Sequence, residues 1–392
     1  MVNSALGVPG DTETSKQAIP APSPVGPLVS GTPVVYAPTD TAATVVWAIR
    51  RPARGWIEYG QTKELGSESR SDTFGFVPHS DTVLRQRLQG LKPGTRYWWR
   101  TVTVPLTGGE PEFSAIYSFK TLDPEALETH FAVWSDTHDH ADTISKLHAV
   151  TNAEPPDFLV WNGDLSNNIE TPDLIPGIYI HPKNVDLATG ASILLTRGNH
   201  DVRGRWANRI SDYVDFPDKR PFGAFRSGPL AAIILDTGED RPDRHPTLQG
   251  VAAFAALIEK QKQWLAQVIQ EPRFKSAPFR IVFCHIPLRW KVEAPVDYDK
   301  GGYDWFSSRG RDAWHDLLVQ WGAQAVVSGH MHGWASLPAT AKFPYAQIVG
   351  GGPTLQNSVV IRGKATTTEL KLTIRGLDGI ELHTSTFAPL ST

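Results

Sequence analysis

The sequence is poor in cysteine and has no long apolar stretch, and each shortage excludes a class of protein. The 392 residues include one cysteine, Cys284, so no disulfide can form within the chain. No uninterrupted apolar run approaches the roughly 20 residues of a membrane-spanning helix. Residues 1–16 are polar and lack the apolar centre of a signal peptide. The compartment stays open: periplasmic or secreted if a signal peptide has been removed, and cytoplasmic otherwise.

A surplus of charge of one sign is also missing. The 38 Lys and Arg residues nearly balance 41 Asp and Glu residues, for a formal net charge of -3. This balance predicts no broad basic surface for nucleic acid or for an anionic membrane. The hydrophobic content of 40% is ordinary for a globular protein, and the length exceeds what one core usually holds. We therefore expect a globular protein of two domains.

The apolar pattern divides the chain into a tail and two regions. Residues 1–27 are polar and then proline-rich, which predicts a disordered or extended tail. Residues 28–122 contain short β-branched and aromatic runs separated by turn residues, which predicts an all-β sandwich. From residue 128 to residue 392, strand patterns, such as those at residues 158–162 and 325–328, alternate with helical patterns, such as that at residues 203–213. This alternation predicts an α/β fold, a β-sandwich flanked by helices.

A turn in the first region resembles one found in fibronectin type III domains. Residues 91–97 read Leu-Lys-Pro-Gly-Thr-Arg-Tyr, like the turn and tyrosine corner of that fold. In such a corner the tyrosine hydroxyl bonds to backbone a few residues upstream. We therefore expect Tyr97 to close a corner of a fibronectin-like sandwich.

Five polar motifs directly follow predicted strands of the second region. They are Asp136-Thr137-His138, Gly163-Asp164, Gly198-Asn199-His200-Asp201, Cys284-His285 and Gly329-His330-Met331-His332. Open α/β sheets place ligand sites at the carboxyl ends of their strands, so these motifs can meet. Asp, Asn and His ligands suit zinc, manganese or iron. They outnumber the ligands of one four-coordinate ion, so two ions bridged by Asp164 are the economical explanation.

The ordered set resembles the calcineurin-like metallophosphoesterases. The D-x-H, G-D, G-N-H-D/E, H and G-H-x-H blocks of that family occur here in order over roughly residues 128–390. The ligands that the resemblance implies are Asp136, His138 and His332 for the first ion, Asp164 for both, and Asn199, His285 and His330 for the second. His200 would not bind metal but would face the phosphoryl group, oriented by Asp201.

The resemblance implies a dinuclear metal-dependent hydrolase of small phosphomonoesters or phosphodiesters. Two divalent or mixed-valence ions about 4 Å apart can hold a hydroxide for in-line attack on phosphorus. His200 would protonate the leaving oxygen or stabilise the developing charge. Two alternatives stay open. The metal site could act on another ester or serve a lyase, or the chain could be a binding or adhesion protein with an inactive phosphoesterase-like domain.

The β-sandwich followed by this domain also resembles the purple acid phosphatases, with a departure. In that subgroup a tyrosine after the Gly-Asp motif binds ferric iron, whereas Asn167 stands at that place here. His138 is a second difference, because the purple enzymes lack it. We therefore expect neither the tyrosinate-to-iron colour nor an obligatory ferric site.

Several residues near the motifs have roles that the sequence leaves open. His140 is either a further ligand or a residue that forms hydrogen bonds within its loop. Arg197 and Arg203 are predicted to form surface ion pairs rather than to bind phosphate. His181 and the segment 290–306 lie in long loops that either wall the cleft or pack on the sandwich.

Overall fold

The computed structural model describes residues 26–69, 74–290, 297–300 and 304–391. Most of the expected tail, residues 1–25, lies outside this part of the chain. The strands up to residue 122 are β1 (Val29–Tyr36), β2 (Ala42–Ile49), β3 (Ala53–Gly60), β4 (Ser67–Ser69), β5 (His79–Ser80), β6 (Val83–Gln89), β7 (Arg96–Pro105), β8 (Glu112–Phe113) and β9 (Tyr117–Lys120).

Strands and helices alternate in the rest of the chain, as the sequence predicted. The strands are β10 (Glu128–Trp134), β11 (Phe158–Asn162), β12 (Ile193–Thr196), β13 (Gly223–Ser227), β14 (Leu230–Leu235), β15 (Phe279–Cys284), β16 (Ala325–Ser328), β17 (Ala335–Leu337), β18 (Ala346–Val349), β19 (Val359–Thr366), β20 (Leu370–Gly376) and β21 (Glu381–Phe387). The α-helices are α1 (Ala141–Asn152), α2 (Ile210–Tyr213), α3 (Phe254–Val268), α4 (Pro272–Lys275) and α5 (Asp304–Trp321).

Three sheets contain the strands of the described residues. The first sheet has the order β21-β20-β19-β10-β11-β12-β1-β2-β6, and the second has the order β13-β14-β15-β16-β18-β17. The third sheet, β4-β3-β7-β8, also pairs with β5 and β9. Strands β10, β11 and β12 are mutually parallel, as are β14, β15 and β16. The first and second sheets therefore each present the carboxyl ends of several parallel strands at one edge.

The first and second sheets pack face to face, and helices cover their outer faces. Phe131 of β10 meets Phe283 of β15 edge-on across the sandwich, with ring centroids 5.7 Å apart. Trp134, on the opposite face of β10, packs in the cluster that contains Ile144 of α1. Helices α3 and α5 cover the second sheet in the same way. Both faces of the central strands are buried, which is why these strands read as continuous apolar runs. The expected α/β fold is confirmed.

The N-terminal strands are joined to this sandwich. Strand β1 runs parallel to β12, with Tyr36 opposite Ile193, and the Ala37 N–H donates to the Ile193 carbonyl at 2.9 Å. The other face of β1 and β2 packs with the third sheet, where Trp47 and Trp99 are buried together. The Lys92 N–H donates to the Tyr97 hydroxyl at 3.0 Å, as the tyrosine-corner resemblance leads one to expect.

The helix expected over residues 203–213 is wrong for most of its length. The segment has a 3₁₀ turn at Ala207–Arg209, and its α-helix begins only at Ile210. The Ile169 N–H donates to the Arg203 carbonyl, and the Trp206 N–H donates to the Ile169 carbonyl. Gly204, at φ +97°, turns the backbone between these two bonds. Pairing with residue 169 replaces the first helical turns.

No helix in the described part of the chain is long and apolar enough to cross a bilayer.

Candidate metal centre

The five motifs lie at the edge of the sandwich where the parallel strands of both sheets end. Asp136 follows β10, Asp164 follows β11 and Asn199 follows β12 in the first sheet. His285 follows β15 and His330 follows β16 in the second. Because the two sheets face each other, the loops after these strands surround one site.

Most of the predicted ligands have an unusual backbone conformation. The φ angles are 57° at Asp136, 44° at His138, 53° at Asp164, 72° at His330 and 47° at His332. Positive φ is uncommon for residues other than glycine and costs about 1–3 kcal/mol each where nothing compensates. The loops therefore turn sharply just after their strands, which directs the side chains inward, and such strain is concentrated at functional sites.

One group of ligand atoms comes from Asp136, His138, Asp164 and His332. One atom from each lies within 4.8 Å of all the others. The Nε2 atoms of His138 and His332 are 2.9 Å apart, and Nε2 of His138 is 3.5 Å from Oδ2 of Asp164. These atoms converge on a common point, as the ligands of one ion must.

A second group comes from Asp164, His285 and His330, again within 4.8 Å. Nε2 of His285 lies 3.1 Å from Oδ2 of Asp164. Asn199 joins this group, because its Oδ1 lies 2.9 Å from Nδ1 of His330. Asp164 belongs to both groups, so its carboxylate is placed to bridge two ions.

The hydrogen bonds of two histidines direct a lone pair into the centre. Nδ1 of His285 is 2.9 Å from the carbonyl of Asn162, which only accepts, so this nitrogen donates. The Asn167 amide donates to the His138 carbonyl, which places its Oδ1 3.1 Å from Nδ1 of His138. In its neutral form, which a metal ligand must have, each ring therefore has its lone pair on Nε2. The Nε2 atom of His285 is buried and has no hydrogen bond, as a metal ligand would be.

The electrostatics of the cluster also fit cations. Burial raises the pKa of Asp136 to about 8, and burial lowers the pKa of His138 and of His330 to about 4. Burial works against the charged form of His285 as well, but the carboxylates of Asp164 and Asp136 outweigh it and raise its pKa to about 10. The carboxylate of Asp164 therefore lies among the imidazoles of His138 and His330, which burial keeps neutral, and two transition-metal ions would supply the positive charge that this site lacks.

Two glycines of the motifs make room for the carboxylates. A Cβ on Gly198 would stand 2.1 Å from Oδ1 of Asp164, and a Cβ on Gly329 would stand 2.4 Å from Oδ2 of Asp136. Any larger residue at either position would displace a predicted ligand.

The expectation that Asp201 orients His200 is not met. Its buried carboxylate accepts from the N–H groups of Leu165 and Gly198 and from the Tyr179 hydroxyl, the last at 2.6 Å. Asp201 therefore ties the loop that carries Asp164 to the loop that carries Asn199. It can satisfy these backbone donors because it is buried between the two loops.

His200 lies beside the first group of ligand atoms but belongs to neither group. The His200 ring centroid is 4.8 Å from that of His138. The backbone N–H of His200 donates to Oδ1 of Asp164 at 2.8 Å. Nδ1 donates to the Asn167 carbonyl at 2.8 Å, and Nε2 accepts from Arg203 at 2.9 Å. In this arrangement the proton is on Nδ1, because a carbonyl only accepts and a guanidinium only donates.

Sequence reasoning missed the loop after β14. Arg203 forms ion pairs there with Glu239 at 2.5 Å and with Asp240 at 2.6 Å. The Arg203 side chain is only 10% exposed, so the surface pairing expected for it is wrong. Arg197 likewise pairs at 2.6 Å with a buried carboxylate, that of Asp236. The signal that could have been used is the acidic stretch 236–240 directly after a buried strand.

The residues whose roles the sequence left open lie at different places in the structure. His140 is exposed before α1 and belongs to neither ligand group. His181 packs against β1, where a Cβ on Gly31 would meet its ring at 2.5 Å. Residues 291–296 and 301–303 of the segment 290–306 lie outside the described residues. At its end, the Phe306 ring lies 4.9 Å from that of His330 and forms one wall of the centre.

Two facing sheets with two groups of candidate Asp, His and Asn ligands that share one carboxylate are typical of a dinuclear metallohydrolase. The sequence model of the calcineurin-like phosphoesterase family matches residues 129–334, more than half of the chain. The chain belongs to this family and is a metal-dependent phosphoester hydrolase. The expected family and enzyme class are confirmed.

Known relatives agree with this assignment. The human serine/threonine-protein phosphatase CPPED1 is 24% identical over 249 residues, which cover 60% of this chain and 70% of that protein. Purple acid phosphatase 15 of Arabidopsis thaliana is 22% identical over 289 residues, which cover 66% of this chain and 50% of that protein.

Two solved structures share the fold over almost the whole chain. Purple acid phosphatase PPD1 from yellow lupin (Lupinus luteus) seeds has a TM-score of 0.68 at 15% identity, covering 91% of this chain and 74% of its own. PhoD has a TM-score of 0.61 at 13% identity, covering 92% and 90%. With this coverage, the likeness in fold extends over the N-terminal strands as well as the two facing sheets.

Proposed function

We propose that the chain hydrolyses phosphoesters with two transition-metal ions bound at the edge of the sandwich. The observation that carries this assignment is the carboxylate of Asp164, which belongs to both groups of ligand atoms. Asp136, His138 and His332 would hold the first ion, and Asn199, His285 and His330 the second. When bound, such ions act as Lewis acids on phosphoryl oxygens and lower the pKa of water to about 7.

The ligand set supports zinc, manganese or iron without choosing among them. Nitrogen and oxygen donors suit all three metals. Asn167, in the place of the purple-enzyme tyrosine, contacts His138 through its Oδ1. The residue that would give an iron–tyrosinate bond is therefore replaced by one that supports a histidine ligand.

His200 is proposed to act at the phosphoryl group through its contact with Arg203. Its Nε2 accepts from the guanidinium, so this nitrogen has no proton to give to a leaving oxygen. The contact favours charge stabilisation over proton transfer. Asp201 is proposed to position the loop of Asp164 rather than to touch the substrate.

The substrate is proposed to be a phosphomonoester. The support is that both curated relatives described above are named as phosphatases. A diester, another ester or a lyase reaction would use the same ligands, so turnover has to decide among them.

The two regions of the chain are proposed to have different roles, one structural and one catalytic. Residues 28–122 would form a fibronectin type III-like module, and residues 128–392 would carry the chemistry. Support comes from the positions of all seven proposed ligands after residue 128 and from the pairing of β1 with β12. The module would then brace the sheet edge next to β12, three residues upstream of Asn199.

A combined metal and turnover assay tests the proposal. Protein expressed with added zinc, manganese or iron and purified without chelator should contain about two ions per chain. A panel of aryl phosphate monoesters, diesters and triesters should show the fastest turnover for monoesters. Only trace metal would refute the dinuclear centre. Two ions without turnover of any ester would favour the lyase or binding alternatives.

A further inference from the structure

We propose that Asp240 and Arg203 are positioning residues that fix the orientation of the second-metal ligand Asn199. They belong to a set of side chains, here termed the support chain, made up of Asn167, His200, Arg203 and Asp240. The support chain joins the ligands His138 and Asn199 through successive hydrogen bonds. This proposal rests on the ligand assignment of the proposed function.

The first step concerns the amide of Asn199, which can face the ion with either end. Only the oxygen binds a metal, because the nitrogen has no free lone pair. The Nδ2 group donates to Oδ2 of Asp240 at 3.3 Å, which leaves Oδ1 beside Nδ1 of His330. Asp240 therefore selects the orientation in which Asn199 can serve as a ligand.

The second step is the fixing of Asp240 itself. The Nη2 atom of Arg203 donates to Oδ1 of Asp240 at 2.6 Å, and its Nε donates to Oε2 of Glu239 at 2.8 Å. Each oxygen of Asp240 is thus used, one for Arg203 and one for Asn199. A planar guanidinium can contact several groups at fixed angles, whereas an ammonium cannot.

The third step links this network to the first metal. The Nη1 atom of Arg203 donates to Nε2 of His200, whose Nδ1 donates to the backbone carbonyl of Asn167. The Oδ1 of Asn167 accepts from Nδ1 of His138. The support chain thus reaches from a ligand of one ion to a ligand of the other. At one end Asn167 holds His138 by Nδ1, and at the other end Asp240 holds Asn199 by Nδ2, in each case by the atom that does not face the metal centre.

The test is titration of chelator-treated protein with Zn²⁺ by calorimetry, in the wild type and in Asp240→Asn. Asparagine keeps the shape of aspartate but offers only one acceptor oxygen. It can then accept from Arg203 or from Asn199, but not from both. Loss of such a supporting contact typically weakens metal binding by about 10–100-fold. We expect a loss of that size for the second ion and an unchanged first ion.

Two further variants sharpen the assignment. The same titration in a His332→Ala background, which lacks one proposed ligand of the first ion, isolates the second ion. Asp243→Asn is the matched control in the same loop, because the Asp243 carboxylate instead accepts from the N–H groups of Phe254 and Ala255 at the start of α3. We expect wild-type Zn²⁺ binding in this control.

Arg203→Lys separates charge from geometry. Lysine keeps the positive charge but loses the planar fork, so we expect weaker binding of the second Zn²⁺ here too. If this variant fails to fold, Asp240→Asn alone decides. Unchanged Zn²⁺ binding in Asp240→Asn would overturn the proposal. Wild-type protein that binds fewer than two Zn²⁺ ions would instead refute the ligand assignment and with it the proposed function.

Discussion

The two halves of the metal centre differ in how far they are enclosed. In the first half, the His332 side chain is 45% exposed. In the second half, the His285 side chain is fully buried, and the Phe306 ring lies against His330. The first half therefore faces solvent, while the second is enclosed between the sheets and an aromatic wall. The comparison suggests that incoming substrate meets the first half before the second.

The two halves also differ in the groups that support their ligands. A single neutral amide, Asn167, orients His138 in the first half. In the second half a carboxylate, Asp240, holds Asn199 and is itself paired with a buried arginine. Removing one partner of a buried ion pair is costly, because the other charge is left without compensation. The second half should therefore tolerate substitution around it less well than the first.

The largest expected effect comes from removing the residue that the two halves share. Asp164→Ala should lose both ions, because the bridging carboxylate belongs to both groups. Activity should fall to that of chelator-treated wild type, and elemental analysis reads the metal content directly. Asp312→Ala, at a site whose side chain is 71% exposed on α5, is the control and should keep both ions. Two ions retained in Asp164→Ala would contradict the bridging role.

Substituting one histidine from each half should separate them. His332→Ala and His330→Ala should each lower the metal content from about two ions to about one, because each removes a ligand of one ion only. Only His330→Ala should also lower the melting temperature of the chelator-treated protein, because that ring packs against Phe306 and His285. Loss of both ions in His332→Ala would show that the halves are not independent.

His200→Ala should keep both ions while lowering kcat. If His200 acts by holding Arg203, the loss should be about 10–100-fold and similar for nitrophenyl and alkyl esters. A general acid would instead contribute about 10²–10⁴-fold, mostly for poor leaving groups. The measurement is kcat over a leaving-group series, together with metal analysis. A loss that is much greater for alkyl esters would make His200 the proton donor.

Asn167→Leu should weaken the first ion by about tenfold and leave the second unchanged, the mirror image of Asp240→Asn. Leucine has a similar shape but cannot accept the Nδ1 proton of His138. Zn²⁺ titration measures both affinities, with Asn208→Leu at an exposed position as the control. Equal weakening of both ions would mean that the support chain acts as one unit.

The last prediction, with the smallest expected effect, concerns the visible absorption spectrum. Iron-loaded wild-type protein should show no tyrosinate-to-iron absorption, because Asn167 stands in the place of the tyrosine that binds ferric iron in the purple enzymes. A visible spectrum is sufficient, and a strong band in the purple region would place the chain in the purple subgroup after all.

Much of the fold could be predicted because its strands are buried on both faces. The patterns at residues 158–162 and 325–328 coincide with β11 and β16. Such runs are short, apolar and bounded by turn residues, so local sequence determines them. The expected helix at residues 203–213 failed because Ile169, far away in sequence, pairs with its first residues. Local periodicity carries no information about that contact.

The sequence by itself determined the chemistry of the centre. Its proposed ligands are single residues at the ends of apolar runs, with glycines beside them that leave room for the carboxylates. The local sequence therefore shows both the types of these residues and their order. Tertiary structure alone decided which groups orient those ligands. Asp240 reaches Asn199, Arg203 reaches Asp240, and Asp201 serves backbone donors instead of His200. These contacts join separate strand ends, and only the packing of one sheet on another brings such ends together.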